Sequence, residues 1–441
     1  MLQAGWAQRD ITPHVGVHMG GYWGRRSGAT AIHDPLSAKL VVWQGPTGAV
    51  ALVSLDLVAI SAERVVRIRE EVSTAMAGLD EQAVMVCCSH THAGPLTLAF
   101  RGMGEVDEDY LDHICAAVQA CAFEAVKHME DAQLGYARAP VQIGLNRRQA
   151  RSGAVVIGEN PEGPVVAYAH VVSVQTARGR CILFQHACHP VVLGNDNHEI
   201  SAEFPGAACA EIEARTGDLA GNLALFINGA AGDINPRRTG STFDDVASLG
   251  QELGAAVVAA AANTRPLSGI SISAGTRRLD LPLLPPPTGA RAAVDHALQA
   301  LKVAAKSMGN LWDQRVARAG LEWSQACLKA AQAPDADPSQ SFEIQGLRIG
   351  ELTWLGMEGE IFVRYQLDME SNTAEPIILC GYANGCIGYV PTQQDYALGG
   401  YEVDEAYKVY PSVRMIAPQS DGIIRHGVAQ LLRELGAATS R

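Results

Sequence analysis

Val84-Met85-Val86-Cys87-Cys88-Ser89-His90-Thr91-His92-Ala93-Gly94-Pro95 decides how this chain is read. An apolar run ends in two histidines one residue apart and is then broken by Gly94-Pro95. In an extended strand the side chains at i and i+2 point the same way. His90 and His92 are therefore expected to leave a buried strand side by side, at the mouth of a loop. Paired neutral imidazoles suit a divalent metal such as zinc. Two polar residues closing a strand is the plain alternative, and the stretch alone leaves both open.

Outward from it, the same theme recurs. Upstream, 40–43 and 49–58 read as a strand pair across Gly45-Pro46-Thr47-Gly48, and 62–76 carries apolar residues at helical spacing. Downstream, 109–128 is a second amphipathic helix. A short strand over 141–145 is expected to deliver Asn146-Arg147-Arg148 into a loop. A hairpin over 165–174 and 180–188 ends in Cys188-His189-Pro190, followed by a helix over 207–214. The strand 223–227 feeds Asn228-Gly229-Ala230-Ala231-Gly232-Asp233-Ile234-Asn235-Pro236, ahead of an Ala-rich helix over 244–262. The alternation predicts an α/β protein, a mixed β-sheet core flanked by helices.

Past residue 270 come a strand over 270–283, a proline run at 285–287 and a helical insertion over 289–333 that carries no histidine cluster and reads as peripheral. A linker at 334–339 leads to a strand over 342–355, then Gly359-Glu360, then a helix over 361–369. The strand 376–380 opens into a glycine-rich segment with Tyr389, trailed by Tyr396 and Tyr401, and a helix over 427–435 closes the chain. His90, His92, Arg147, His189, Asp233, Glu360 and Tyr389 thus all fall where a strand gives way to a glycine-rich loop. Such loops form the ligand cleft of open α/β sheets.

Composition narrows the partners. Among 441 residues, 34 are basic and 47 acidic, and a formal charge of −13 argues against nucleic acid or an anionic membrane. No apolar run approaches the length of a membrane span, and residues 1–6 have no signal-peptide pattern. The ten cysteines lack CxxC spacing and lie in apolar runs, which reads as small buried hydrophobes in a reducing, cytoplasmic setting. A small-molecule substrate is the remaining expectation.

The constellation resembles the neutral/alkaline ceramidase family, zinc amidases that cleave the N-acyl bond of ceramide. Asp10 to Tyr22 is similar to the family's DxT-P opening and Gly-Tyr turn, and Ser89-His90-Thr91-His92-Ala93-Gly94-Pro95 to its THTHSGP motif. Asn146-Arg147-Arg148 resembles NRSP, His189-Pro190 the HP motif, and Gly232-Asp233-Ile234-Asn235-Pro236-Arg237 the GDVSPN motif. Gly359-Glu360 resembles its GE segment; Tyr389-Val390-Pro391-Thr392, Tyr396 and Tyr401-Glu402 keep the spacing of its tyrosine-rich segment.

The resemblance implies one catalytic zinc held by His90, His189, Glu360 and Tyr389, with Glu360 either a ligand or the base that takes the water proton. It places His92, Arg147 and Tyr401 against the tetrahedral intermediate and leaves a second metal near Asp233 open. Two imidazoles and a carboxylate are a known zinc set; a tyrosine ligand is unusual. Three departures stand out. Asn235 replaces the family serine, Glu203 replaces an aspartate, and, with Arg441 the last residue, the family's C-terminal immunoglobulin-like domain is not expected. The expectation is one catalytic domain over 1–441 that hydrolyses an amide of a soluble substrate. A glycoside, lactone or ester hydrolase, or a metal-binding protein without turnover, are the alternatives.

Overall fold

The computed structural model describes residues 1–25, 27–217, 221–285, 290–306, 311–332 and 339–437. Two five-stranded sheets hold the centre. The first runs Val84–Cys88, Gly48–Leu55, Ser37–Gly45, Gln3–Asp10, Glu130–Asp131; the second runs Leu223–Asn228, Arg180–His186, Tyr168–Gln175, Gln133–Pro140, Arg265–Pro266. In each, one edge strand, Val84–Cys88 or Leu223–Asn228, pairs parallel with its neighbour and the other pairings are antiparallel. Val84–Cys88 and Leu223–Asn228 are buried along their whole length, which is why both read as unbroken apolar runs instead of alternating ones.

The open edge of Leu223–Asn228 meets the first sheet. Lys39 Nζ donates to Ala224 O at 2.7 Å and Ser54 Oγ donates to Phe226 O at 2.6 Å, so buried edge carbonyls are satisfied by side chains. Helices cover the outer faces. Ala62–Ser73 and Glu108–Lys127 lie on the first sheet, capped by Ser61 and Asp107, and Glu203–Thr216 and Phe243–Ala261 lie on the second. The last two approach closely because Gly250 and Gly254 face Ala207, Ala208 and Glu211, where an added Cβ would collide.

A third sheet, Ile272–Pro282, Ser339–Ile349, Leu352–Met357, Ile377–Cys380, packs against the helix Ser420–Glu434. The single strand predicted over 342–355 is in fact a hairpin, because Gly350 adopts a left-handed turn (φ +58°). The predicted insertion is a pair of helices, Ala290–Lys306 and Leu311–Gln332, between two strands that pair with each other. It is less peripheral than expected. Trp323 is buried and its Nε1 donates to Val413 O at 2.9 Å, on a segment that reaches the site. The proline positions 286–287 and most of the predicted linker, 334–338, lie outside the described residues. Among the described residues no helix is long and apolar enough to cross a membrane.

Candidate metal centre

The strand carrying the histidine pair stops at Cys88, and His90 takes a left-handed conformation (φ 69°). Strand alternation is therefore not what pairs the histidines. A turn does it, pinned by Ser89 N to Leu55 O and His90 N to Leu57 O at 2.8 and 2.9 Å. A bulky residue with positive φ is held there only by its surroundings, and such strain collects at functional sites. The turn brings His90 Nε2 within 3.1 Å of His92 Nε2. His189 enters just beyond Arg180–His186, and its Nε2 lies 3.0 Å from Glu360 Oε2, which is 3.4 Å from His90 Nε2. Glu360–Ile361 pairs parallel with Tyr389–Val390, putting Tyr389 beside Glu360 in register.

These donors suit a metal. Ligand atoms around a tetrahedral zinc stand about 3.3 Å apart at ordinary bond lengths. The Nδ1 atoms of His90 and His189 each lie 2.6 Å from a backbone carbonyl, Val58 O and Ala231 O. Those carbonyls hold the proton on Nδ1 and leave Nε2 as a free lone pair, the anchoring that metal-bound histidines almost always show. Burial pushes the Glu360 carboxyl up, but facing His90 and His189 outweigh it and hold it well below the usual range, ionised. Burial and Arg147 push His189 down to about 4, so its imidazole is neutral, as a ligand requires.

His92 belongs to the same cluster; its ligand-type atoms and those of His90 and His189 all lie within 4.8 Å of one another. It differs in one respect. Its Nδ1 is buried with no protein hydrogen-bond partner among the described residues, so no carbonyl anchors the ring from that side. It rests against Gly21 (φ +89°), where an added Cβ would overlap the imidazole. Arg25 clamps this loop, its guanidinium donating to the carbonyls of Gly20, His92 and, at 2.8 Å, Asn197. Gly21→Ala is expected to displace the His92 ring and lower any turnover about 10-fold or more while metal content stays at the wild-type level. Metal analysis and rate measured on one preparation check this.

Arg147 was expected in a loop, but Gly144–Arg151 is a strand hairpinned with Ala154–Asn160. The Ser152-Gly153 turn, with φ of 51° and 83°, closes that hairpin. The register shifts between Asn146 and Arg148. Consecutive side chains on a regular strand point to opposite faces; a bulge re-aims them. Arg147 Nε and Arg148 Nη1 consequently reach the two oxygens of one buried carboxylate, Glu402, at 2.9 and 2.7 Å. Arg147 also donates to Tyr389 OH at 2.9 Å and Asn235 Oδ1 at 3.1 Å, and its Nη1 is 3.5 Å from His189 Nε2. Asn235 thus holds the guanidinium from the position where the resembled family has serine. Burial pushes the Tyr389 phenol well up despite Arg147, so it stays protonated. Tyr401 packs edge-on to Tyr389, ring centres 6.0 Å apart.

Asp233 braces the arms of the site. Its Oδ1 accepts Val363 N at 2.7 Å, its Oδ2 accepts Asn146 Nδ2 at 2.8 Å, and its carbonyl accepts Arg147 N at 2.8 Å. Glu203 begins the helix Glu203–Thr216 and accepts Leu193 N at 2.7 Å; burial pushes its carboxyl up to about 8. A folded-state value above the ordinary 4.5 means folding takes up a proton, so stability falls as pH rises from about 4.5 to about 8. Glu203→Gln is expected to flatten this slope, its Tm dropping about 2–4 °C less than the wild type's between about pH 6 and about pH 9. Thermal melts at the two pH values test it.

Sequence reasoning named His90, His92, Arg147, His189, Glu360, Tyr389 and Tyr401, and the fold brings them together. It assigned no role to Glu402, to Tyr382, whose ring stacks on His90 with centres 4.0 Å apart, or to Tyr410, whose hydroxyl donates to Glu360 Oε1. Glu402 follows Tyr401 directly in the tyrosine-rich segment and could have been found there. Tyr410 lies beyond it, with no local signal.

No protein-family model matches the chain, and no curated protein does. Solved structures do. The neutral ceramidase from Pseudomonas aeruginosa superposes with a TM-score of 0.74 at 19% identity, over 100% of this chain and 76% of that one. A structure described as a ceramidase complexed with C2 gives 0.74 at 18% identity over the same shares. The chain has this neutral ceramidase-like α/β fold.

Proposed function

Taking that fold as the premise, we propose that the protein is a zinc-dependent hydrolase that cleaves a linear amide, an N-acyl bond, in a small or medium-sized soluble substrate. The observation that carries the reading is the approach of His90 Nε2 and His189 Nε2 to Glu360 Oε2, at 3.4 and 3.0 Å, with both imidazoles anchored through Nδ1 to backbone carbonyls. His90, His189 and Glu360 would hold the ion, with Tyr389 a weak fourth ligand because its phenol stays protonated. A zinc so held polarises a carbonyl and brings the pKa of water towards neutrality.

The chain's own groups do the rest. Arg147, fixed by Glu402 and Asn235, offers guanidinium protons to the oxygen that gains charge as the carbonyl is attacked. Tyr401, whose ring packs against Tyr389, would add a hydroxyl donor. Burial and the neighbouring His90 and His189 push the His92 imidazole well down, so it rests neutral, accepts a proton during attack and returns it to the leaving nitrogen. The products are an amine and a carboxylic acid. The net charge of −13 disfavours nucleic acid and anionic membrane surfaces as partners. Ten unpaired cysteines support a reducing, cytoplasmic compartment.

The test is turnover by the zinc-loaded protein. A panel of N-acyl compounds is followed with an amine reagent, beside nitrophenyl sugars and esters. Amine release that a chelator stops and zinc restores is expected. Cleavage of sugars or esters alone would replace the amide reading, and bound zinc with no turnover anywhere would end the enzymatic one.

A further inference from the structure

Tyr410 lies far from the metal-site motifs in sequence, yet its hydroxyl donates to Glu360 Oε1. The other oxygen of that carboxylate, Oε2, is the one facing His189 at 3.0 Å and His90 at 3.4 Å. The two oxygens are thus divided between the tyrosine and the histidines. The tyrosine is itself rigidly placed. Its ring packs edge-on against Phe100, centres 5.1 Å apart, and against Gly388 (φ +108°), where an added Cβ would stand only 3.2 Å from the ring.

The backbone around Tyr410 is held by Arg101. This guanidinium donates to the carbonyls of Lys408 at 3.1 Å, Pro411 at 2.8 Å and Ser412 at 3.0 Å, and to that of Tyr410 itself. The helical insertion adds the Trp323 bond to Val413 O. Four carbonyl contacts from one arginine onto a short irregular segment form a brace. What the brace presents to the interior is a single hydroxyl, on a single carboxylate oxygen.

We propose that Tyr410 is a positioning residue that engages one oxygen of Glu360 so that only Oε2 faces the ion, leaving a coordination position for water or substrate. This rests on the metal-centre reading above. A carboxylate free to rotate takes a divalent ion through both oxygens and fills that position. Groups that orient a ligand in this way commonly change metal affinity by about 10–100-fold when removed.

Tyr410→Phe keeps the ring packing and deletes the hydroxyl. Zinc affinity is measured by competition with a chromophoric chelator, and site geometry by the visible absorption of the cobalt-substituted protein. The variant is expected to bind zinc about 10–100-fold more weakly and to show weaker, shifted cobalt bands, as a fifth ligand atom enters. Wild-type affinity together with an unchanged cobalt spectrum overturns the role of Tyr410 alone. A wild-type protein that binds neither ion overturns the metal-centre reading and this inference with it. If Tyr410→Phe does not fold, Arg101→Lys loosens the brace far from the ligands. The same weakening is expected of it, and wild-type affinity and spectrum in that variant overturn the proposal.

Discussion

His189→Ala is expected to abolish metal binding and turnover together. The imidazole is fully buried, with Nδ1 2.6 Å from Ala231 O and its own backbone N–H on Ile234 O at 3.0 Å. It is therefore preorganised, and alanine leaves a void where Nε2 stood. The remaining imidazole and carboxylate, His90 and Glu360, are too few for a tight zinc site, since catalytic zinc normally has three protein ligands. Removing the ion forfeits several kcal/mol of charge stabilisation in the transition state, a rate loss of about 10⁴-fold or more. Elemental analysis beside the N-acyl assay checks both halves, and circular dichroism confirms that the variant is folded. Undiminished metal in the alanine variant would remove His189 from the ligand set.

The second large effect concerns the partner in the opening motif. His92→Ala is expected to keep one metal per chain while turnover falls about 10²–10⁴-fold, the usual worth of a proton-transfer group. Distance alone does not separate His92 from its neighbours, because His90, His92 and His189 form one cluster. The outer nitrogen does. His90 and His189 each have a carbonyl at Nδ1, whereas His92 Nδ1 has no protein partner among the described residues and faces Gly21. A ring without that tether can change tautomer or tilt, which suits a residue that accepts and returns a proton and does not suit a permanent ligand. If metal content falls in His92→Ala as it does in His189→Ala, the site is a three-histidine one and Glu360 is freed to act as the base.

Arg147 and Arg148 are a poorer place to probe the chemistry, because both end on Glu402. Two buried arginines share one buried carboxylate, at 2.9 and 2.7 Å. Breaking such an arrangement from one side costs about 3–5 kcal/mol, because it strands a charge in the interior. Substitutions at Arg147 therefore confound stability with rate, whereas those at His92 do not.

The sequence by itself determined the pieces with short-range signatures. Apolar runs such as Val84–Cys88 and Leu223–Asn228 announce buried strands, helical periodicity announces Glu108–Lys127, and glycine-rich stretches at strand ends mark where His90, His189, Asp233 and Glu360 sit. These follow from side-chain spacing along a few residues of chain, which any reader of the sequence can see. Tertiary structure alone decided the geometry within the site. The left-handed turn at His90, the bulge that turns Arg147 and Arg148 onto Glu402, and the Tyr410 hydroxyl on Glu360 each depend on partners 32 to 255 residues away. Which of the two neighbouring histidines is tethered was likewise settled by carbonyls of distant loops. Hydrogen bonds and left-handed backbone are imposed by what the folded chain places opposite them, and no local periodicity encodes that.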